Sequence, residues 1–81
     1  MEYDATFQKL GKRYRQLRIN REMVQEDVLE FNFSVRHYQQ LEAGRPHSLN
    51  TFFRLCQMFE VTPEELIRGL FEGRNGHRKR K

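Results

Sequence analysis

The sequence is poor in cysteine: Cys56 is the only one among 81 residues. A single cysteine cannot form an internal disulfide, and the chain has no set of Cys and His residues with zinc-ligand spacing. Cys56 lies on an apolar helical stripe, where a small core residue is expected rather than a reactive thiol. We therefore expect no disulfide, no metal site and no cofactor.

Long apolar runs are also missing. No stretch approaches the roughly 20 apolar residues that span a bilayer. The first residues, MEYDATF, lack the apolar segment of a signal peptide. We expect a cytoplasmic protein without a membrane partner, built as one small domain.

The body of the chain has no excess of positive charge, although the formal net charge is +4. Five of the fifteen basic residues lie in the last nine positions, as Arg74, Arg78, Lys79, Arg80 and Lys81. Residues 1–72 carry ten basic and eleven acidic residues, a formal charge of −1. We expect a folded domain over residues 1–72 and a disordered basic tail over residues 73–81, so that any nucleic-acid surface on the domain is a local patch.

The chain also lacks a grouping of acid, base and nucleophile. His37 is predicted on a helix face, His47 in a loop and His77 in the tail. No convergent pocket is suggested by these places, so we expect that the protein is not an enzyme.

Helical spacing of apolar residues predicts an all-α fold of five short helices. Helices are expected over residues 5–20 and 25–31, between Ser34 and Gly44, from Ser48 through Phe59, and from Thr62 to Gly73. Ser34, Ser48 and Thr62 are good N-terminal caps, and Glu65 completes a capping box with Thr62. Val28 and Leu29 are expected to face inward, and Asn32 to take a left-handed turn conformation.

These helices can bury their apolar stripes only against one another. The expected core contains Phe7, Leu10, Leu17, Val28, Phe33, Leu41, Phe52, Cys56, Phe59 and Leu66. Phe53 and Met58 lie off the stripe of their helix, and either pack under neighbouring segments or form an exposed patch. Gly11 costs its helix roughly 1 kcal/mol unless close packing uses it.

The segment SVRHYQQLEAG, from Ser34 to Gly44, has the most informative outer face. Tyr38 and Leu41 can face the core together, which turns Val35, Arg36, His37, Gln39 and Gln40 toward the rim or outward. Arginine can grip guanine O6 and N7, and glutamine can grip adenine N6 and N7. The face therefore fits a reader of base edges, and it equally fits a plain solvated helix surface.

The order of these segments resembles the lambda-repressor-like helix-turn-helix family, of the phage repressor and Cro type. The likeness runs from about Leu10 to Leu70. It is carried by LGKRYRQLR, MVQEDV, LEAG and SLNTFFRLCQMFEVTPEELI. The resemblance implies a compact five-helix domain whose third helix enters the major groove of DNA.

The resemblance also assigns residues. Gln25 would bind a phosphate, and Arg18 would pair with Glu42 to tie the first helix to the third. The complete DNA-binding set that we expect is Gln25, Ser34, Val35, Arg36, His37, Gln39, Gln40 and Arg45. The implied function is sequence-specific transcriptional regulation by a homodimer on a two-fold operator. The alternative is a degenerate helix-turn-helix domain that serves as a protein interaction module.

An apolar excess near the C-terminus predicts the dimer surface. It consists of Leu66, Ile67, Leu70 and Phe71, with Phe53 or Met58 nearby.

The chain departs from the family pattern at the turn. Val24 stands where Ser or Thr is usual, and Leu29 stands where Ala is usual. Asn32 replaces the usual glycine, and Gln25 to Ser34 spans nine steps instead of ten. These departures predict a different angle between the second and third helices.

Overall fold

The computed structural model describes residues 5–70, which form five helices and no strand. They are α1 (Ala5–Asn20), a 3₁₀ helix (Gln25–Phe31), α2 (Val35–Glu42), α3 (Leu49–Phe59) and α4 (Pro63–Ile67). The predicted all-α class and the number of helices are confirmed. Phe71, Gly73 and the basic tail lie outside the described residues.

The three predicted caps are present. Ser34 Oγ accepts a hydrogen bond from the backbone N–H three residues on at 3.0 Å, and Ser48 Oγ does the same at 3.1 Å. At α4, Thr62 Oγ1 accepts from the N–H of Glu65 at 3.1 Å, while Glu65 Oε1 accepts from the N–H of Thr62 at 2.7 Å. These bonds favour the ionised carboxylate and lower the pKa of Glu65.

The second helix is a 3₁₀ helix, and this corrects the expectation for Leu29. Val28 is fully buried as expected, but Leu29 is 59% exposed. Side chains three apart eclipse one another in a 3₁₀ helix, so neighbouring side chains are a third of a turn apart. With Val28 pointing into the core, Leu29 must point away from it.

The turn after the 3₁₀ helix is held by the burial of Phe33 and by contacts with Arg54 of α3. Asn32 takes the predicted left-handed conformation, with φ 67°, and Phe33 is buried. Arg54 of α3 donates to the carbonyl oxygen of Asn32 at 2.8 Å, and its guanidinium lies 4.2 Å from the centre of the Phe33 ring. The turn is therefore held by α3, which the local sequence does not reveal.

One hydrophobic core joins the helices. It consists of Leu10, Tyr14, Val28, Phe33, Tyr38, Leu41, Phe52, Leu55, Cys56, Met58, Phe59 and Leu66, with Phe7 and Leu17 partly buried against it. All ten residues predicted for the core therefore belong to it or pack on it. Met58 is 3% exposed and is a core residue, whereas Phe53 is 44% exposed.

Two glycines allow α2 to approach α1. A Cβ on Gly11 would lie 2.7 Å from the carbonyl oxygen of Leu41 in α2. Gly44, with φ 104°, ends the turn after α2, and a Cβ there would lie 2.9 Å from the Cα of Gln8. The close packing that could justify Gly11 inside a helix is therefore present.

The last helix is shorter than expected, because α4 ends at Ile67 rather than reaching Gly73. Arg68 leaves the helical conformation, with ψ 130°. Arg13 of α1 donates to the carbonyl oxygens of Leu66 at 2.9 Å and Arg68 at 2.6 Å. These bonds satisfy carbonyl groups that a continuing helix would otherwise have used.

Among residues 5–70, no helix is both long enough and apolar enough to cross a bilayer.

Candidate nucleic-acid interface

The outer side of α2 carries the predicted base-reading residues. Tyr38 and Leu41 are fully buried, which fixes the rotation of the helix about its axis. The other residues of this segment up to Gln40 are exposed or half-buried, and we call them the reading face: Ser34, Val35, Arg36, His37, Gln39 and Gln40. The structure thus places six of the eight predicted site residues on one surface.

Gln25, the seventh, lies against the reading face from the 3₁₀ helix. Its Oε1 accepts from Gln39 Nε2 at 2.9 Å, and its Nε2 lies 3.4 Å from Glu42 Oε1. Gln39 keeps its own Oε1 and one N–H for a further partner. An amide held in this way presents an acceptor and a donor together, the pair that matches the major-groove edge of adenine.

Arg45, the eighth, reaches back to the reading face. Its guanidinium donates to Gln40 Oε1. Because this bond occupies the oxygen, the NH₂ group of Gln40 remains as a pair of donors. Such donors suit the O6 and N7 acceptors of guanine, or a phosphate oxygen.

Arg36 is exposed and has no ion pair or hydrogen bond with any residue in the range 5–70. A guanidinium carries five N–H donors in a fixed fork and matches guanine in two bonds. Arg36 therefore has its full donor capacity available on the surface where Gln39 and Gln40 are held.

Ser34 and His37 have structural roles that limit what they can do for a ligand. The Ser34 hydroxyl accepts from the backbone N–H of His37 as the cap of α2. The His37 ring packs at a tilt on Phe33, with 6.1 Å between ring centres. Val35 is half-buried, and contributes apolar surface beside them.

Beneath the reading face, Arg18 and Glu42 form the ion pair that the family resemblance implied. Arg18 Nε lies 2.6 Å from Glu42 Oε2, and the two side chains are 13% and 7% exposed. Arg18 also donates to the carbonyl oxygen of Met23 at 3.0 Å. The hydrogen bond to Glu42 raises the pKa of Arg18 further above its ordinary value. The pair ties α1 to the end of α2 and holds Glu42 beside Gln25.

The loop that carries Arg45 is anchored by a half-buried histidine. His47 Nδ1 lies 2.9 Å from the carbonyl oxygen of Arg45, which can only accept. The proton is therefore on Nδ1, and Nε2 accepts from the Tyr14 hydroxyl at 2.7 Å. Burial lowers the pKa of His47 and raises that of Tyr14, so both are neutral near pH 7.

The remaining charges are unevenly spread around the interface. On α1, Lys9, Lys12 and Arg15 are exposed and have no partner among the described residues, whereas Arg13 and Arg18 are used inside the fold. The segment 22–30 is acidic, with Glu22, Glu26, Asp27 and Glu30. Within residues 5–70, the exposed cations without a partner therefore lie on α1 and α2.

Sequence reasoning missed three contacts of the interface: Gln25 with Gln39, Arg45 with Gln40, and Arg54 with the turn. The first joins residues fourteen apart and the last joins residues twenty-two apart, so no helical spacing indicates them.

Over residues 5–70, no three His, Cys, Asp or Glu side chains are grouped to hold a metal ion. The chain matches no family model, no curated protein and no solved structure.

Proposed function

We propose that the protein is a sequence-specific DNA-binding regulator of transcription that reads base edges with α2. The observation that carries this proposal is the reading face itself. Arg36 is exposed and has no partner among residues 5–70, and the amides of Gln39 and Gln40 on the same helix are each held by a second side chain. Side chains held in advance lose less conformational freedom on binding than free ones do.

The chemistry of the reading face fits duplex DNA better than a generic polyanion. A generic polyanion requires only positive charge, whereas this face combines one cation with two oriented amides. Amide side chains add little affinity for phosphate, but they distinguish bases in the major groove. An α-helix such as α2 is about 10 to 12 Å across with its side chains, which matches the width of that groove.

The proposal includes a second copy of the chain, because a two-fold operator requires two reading helices at a fixed spacing. The predicted dimer surface changes in detail, since Leu66, Leu70 and Met58 are buried. Exposed apolar area remains at Leu49, which is 65% exposed, and at Ile67, which is 43% exposed. Both line a groove between α1, α3 and α4, and we propose this groove as the dimer contact. Sedimentation at micromolar concentration tests it, and a chain that stays monomeric on its selected DNA contradicts it.

Selection from random duplex DNA tests the function. The wild-type chain is expected to return one palindromic sequence with half-sites about one helical turn apart. Gln39→Ala should return the same sequence with one degenerate position in each half-site. Gln57→Ala, which removes an exposed amide from α3, is the matched control and should return the wild-type sequence.

Failure to recover any sequence at low salt would contradict the proposal. It would favour a protein interaction module, for which the acidic segment 22–30 is the supporting observation.

A further inference from the structure

The segment 24–31, which contains the 3₁₀ helix and its N-cap residue, exposes an unusual amount of apolar side chain. Val24 is 57% exposed, Leu29 is 59% exposed and Phe31 is 41% exposed. Seven large hydrophobic residues are exposed within residues 5–70, and these three fall within eight positions of the chain. Exposed apolar residues on a soluble domain are usually scattered singly, whereas a cluster indicates a contact surface.

The geometry of the 3₁₀ helix explains why this apolar surface is also acidic. Side chains three apart eclipse one another, so Glu26 and Leu29 share the row that points away from the core. Phe31 instead follows Val28 on the inward row and is exposed as the last residue of the helix. Glu30 follows on the adjacent row and is exposed as well. Leu29 is therefore bordered by two carboxylates.

These carboxylates are not neutralised by the fold. Glu26, Asp27 and Glu30 have no ion pair with any residue in the range 5–70; Asp27 accepts only from the backbone N–H of Val24, at 2.8 Å. The sequence has no Lys or Arg from position 22 through position 35, and Arg54 of α3 donates here to the backbone carbonyl oxygens of Phe31 and Asn32 rather than to a carboxylate. A phosphate backbone or an anionic membrane would be repelled here, and a polycation without apolar groups would leave Leu29 and Phe31 in water.

We propose that this surface docks a basic amphipathic helix of a partner protein. The surface, which we call the acidic apolar face, consists of Val24, Glu26, Leu29, Glu30 and Phe31. Leucine or phenylalanine of the partner would cover Leu29 and Phe31, and lysine or arginine beside them would meet Glu26 and Glu30. Apolar contacts at the centre supply most of the affinity of such interfaces, and complementary charges at the rim supply specificity and speed of association. The inference does not rest on DNA binding, because no residue of the acidic apolar face belongs to the reading face.

The test uses two synthetic amphipathic helical peptides, one of leucine and lysine and one of leucine and glutamate, with binding followed by fluorescence anisotropy. The leucine and lysine peptide should bind the full chain, and the other should not. Leu29→Ser and Glu30→Lys should each weaken binding about tenfold, as expected for a central contact and for a reversed rim charge. Ile19→Ser and Glu64→Lys make matched changes at exposed sites outside this surface and should leave binding unchanged.

All four substitutions are at exposed positions, so circular dichroism should show an intact fold. Backbone amide shifts on peptide addition should be largest within residues 24–31. The inference is overturned if the wild-type chain binds neither peptide, binds both alike, or is weakened equally by the two pairs of substitutions. It is also overturned if Leu29→Ser instead abolishes a dimer in sedimentation, because the occupant is then a second copy of this chain. None of these results bears on the DNA selection.

Discussion

At the scale of single residues, Gly11 decides how closely α1 and α2 pack. A Cβ at this position would lie 2.7 Å from the carbonyl oxygen of Leu41, closer than a carbon atom can approach. Two turns further along α1 from Gly11, Arg18 pairs with Glu42 of α2. The backbone contact at Gly11 therefore also sets the geometry beneath the reading face.

Gly11→Ala should destabilise the fold, although alanine is the better helix former by about 1 kcal/mol. Overpacking against a backbone carbonyl costs about 1 to 3 kcal/mol, and here it must be relieved by moving a helix. Urea unfolding measures the change. Lys12→Ala, at the neighbouring exposed position, is the control and should change stability by less than about 0.5 kcal/mol. A Gly11→Ala chain more stable than wild type would show that the two helices are not in contact there.

His47 makes the stability depend on pH. Burial lowers its pKa below the ordinary value of 6.5, so the folded chain takes up a proton less readily than the unfolded chain. The contribution of neutral His47 to the free energy of unfolding is complete above pH 6.5. It is lost as the pH falls through the lowered pKa that His47 has in the folded state. Between about pH 7 and pH 5, the wild-type chain should therefore lose more stability than His47→Gln, whose amide can keep both hydrogen bonds without titrating. If urea unfolding showed the same loss of stability for both chains between about pH 7 and pH 5, the lowered pKa of folded His47 would be contradicted.

At the scale of elements, α2 is held by polar contacts from three directions. Arg18 reaches Glu42 from α1, Gln25 reaches Gln39 from the 3₁₀ helix, and Arg45 reaches Gln40 from the following loop. The ion pair of Arg18 and Glu42 is largely buried, whereas the hydrogen bonds to Gln39 and Gln40 lie at the surface. We expect the ion pair to fix the helix and the amide contacts to orient individual side chains.

A double-mutant cycle with Arg18→Met and Glu42→Gln measures the link between α1 and α2. The coupling free energy should exceed the roughly 0 to 1 kcal/mol of an exposed pair, because loss of one partner leaves the other charge partly buried and uncompensated. Glu64 and Arg68, which are 83% and 68% exposed, provide the comparison and should couple by about 0.5 kcal/mol at most. Equal coupling in the two pairs would contradict the role of Arg18.

The elements themselves were largely predictable from the sequence. The stripe of α1 and the caps at Ser34, Ser48 and Thr62 are local signals, and the structure contains all of them. The helical type of residues 25–31 was not predictable, since Val28 and Leu29 suit one face of an α-helix equally well. The early end of α4 depends on Arg13, more than fifty residues away in the chain.

The candidate site, like the fold, could be predicted from the sequence only in part. The rotation of α2 follows from Tyr38 and Leu41, so the list of outward residues could be read from spacing alone. The ion pair beneath it came only from the family resemblance. The fixed orientations of Gln39 and Gln40 depend on contacts between elements, which no single-helix pattern contains.

At the scale of the whole molecule, the described surface has a region with unpaired cations and a separate region that is acidic and apolar. The unpaired cations lie on α1 and α2, at Lys9, Lys12, Arg15 and Arg36. The 3₁₀ helix carries carboxylates and exposed apolar side chains. A domain organised in this way could hold DNA with one surface and a protein with another, and the proposals can be tested separately.

Binding of Arg36→Ala and Arg68→Ala to selected and scrambled DNA, across a salt series, tests the central claim most directly. Each substitution lowers the net charge of the chain by one, but Arg68 lies outside the reading face and pairs with Glu64. If α2 reads bases, Arg36→Ala should lose about 1 to 3 kcal/mol of discrimination between the two DNAs, while the dependence on salt changes little. Arg68→Ala should keep the wild-type discrimination. Equal weakening of selected and scrambled DNA by Arg36→Ala would contradict the account, because Arg36 would then contribute only charge.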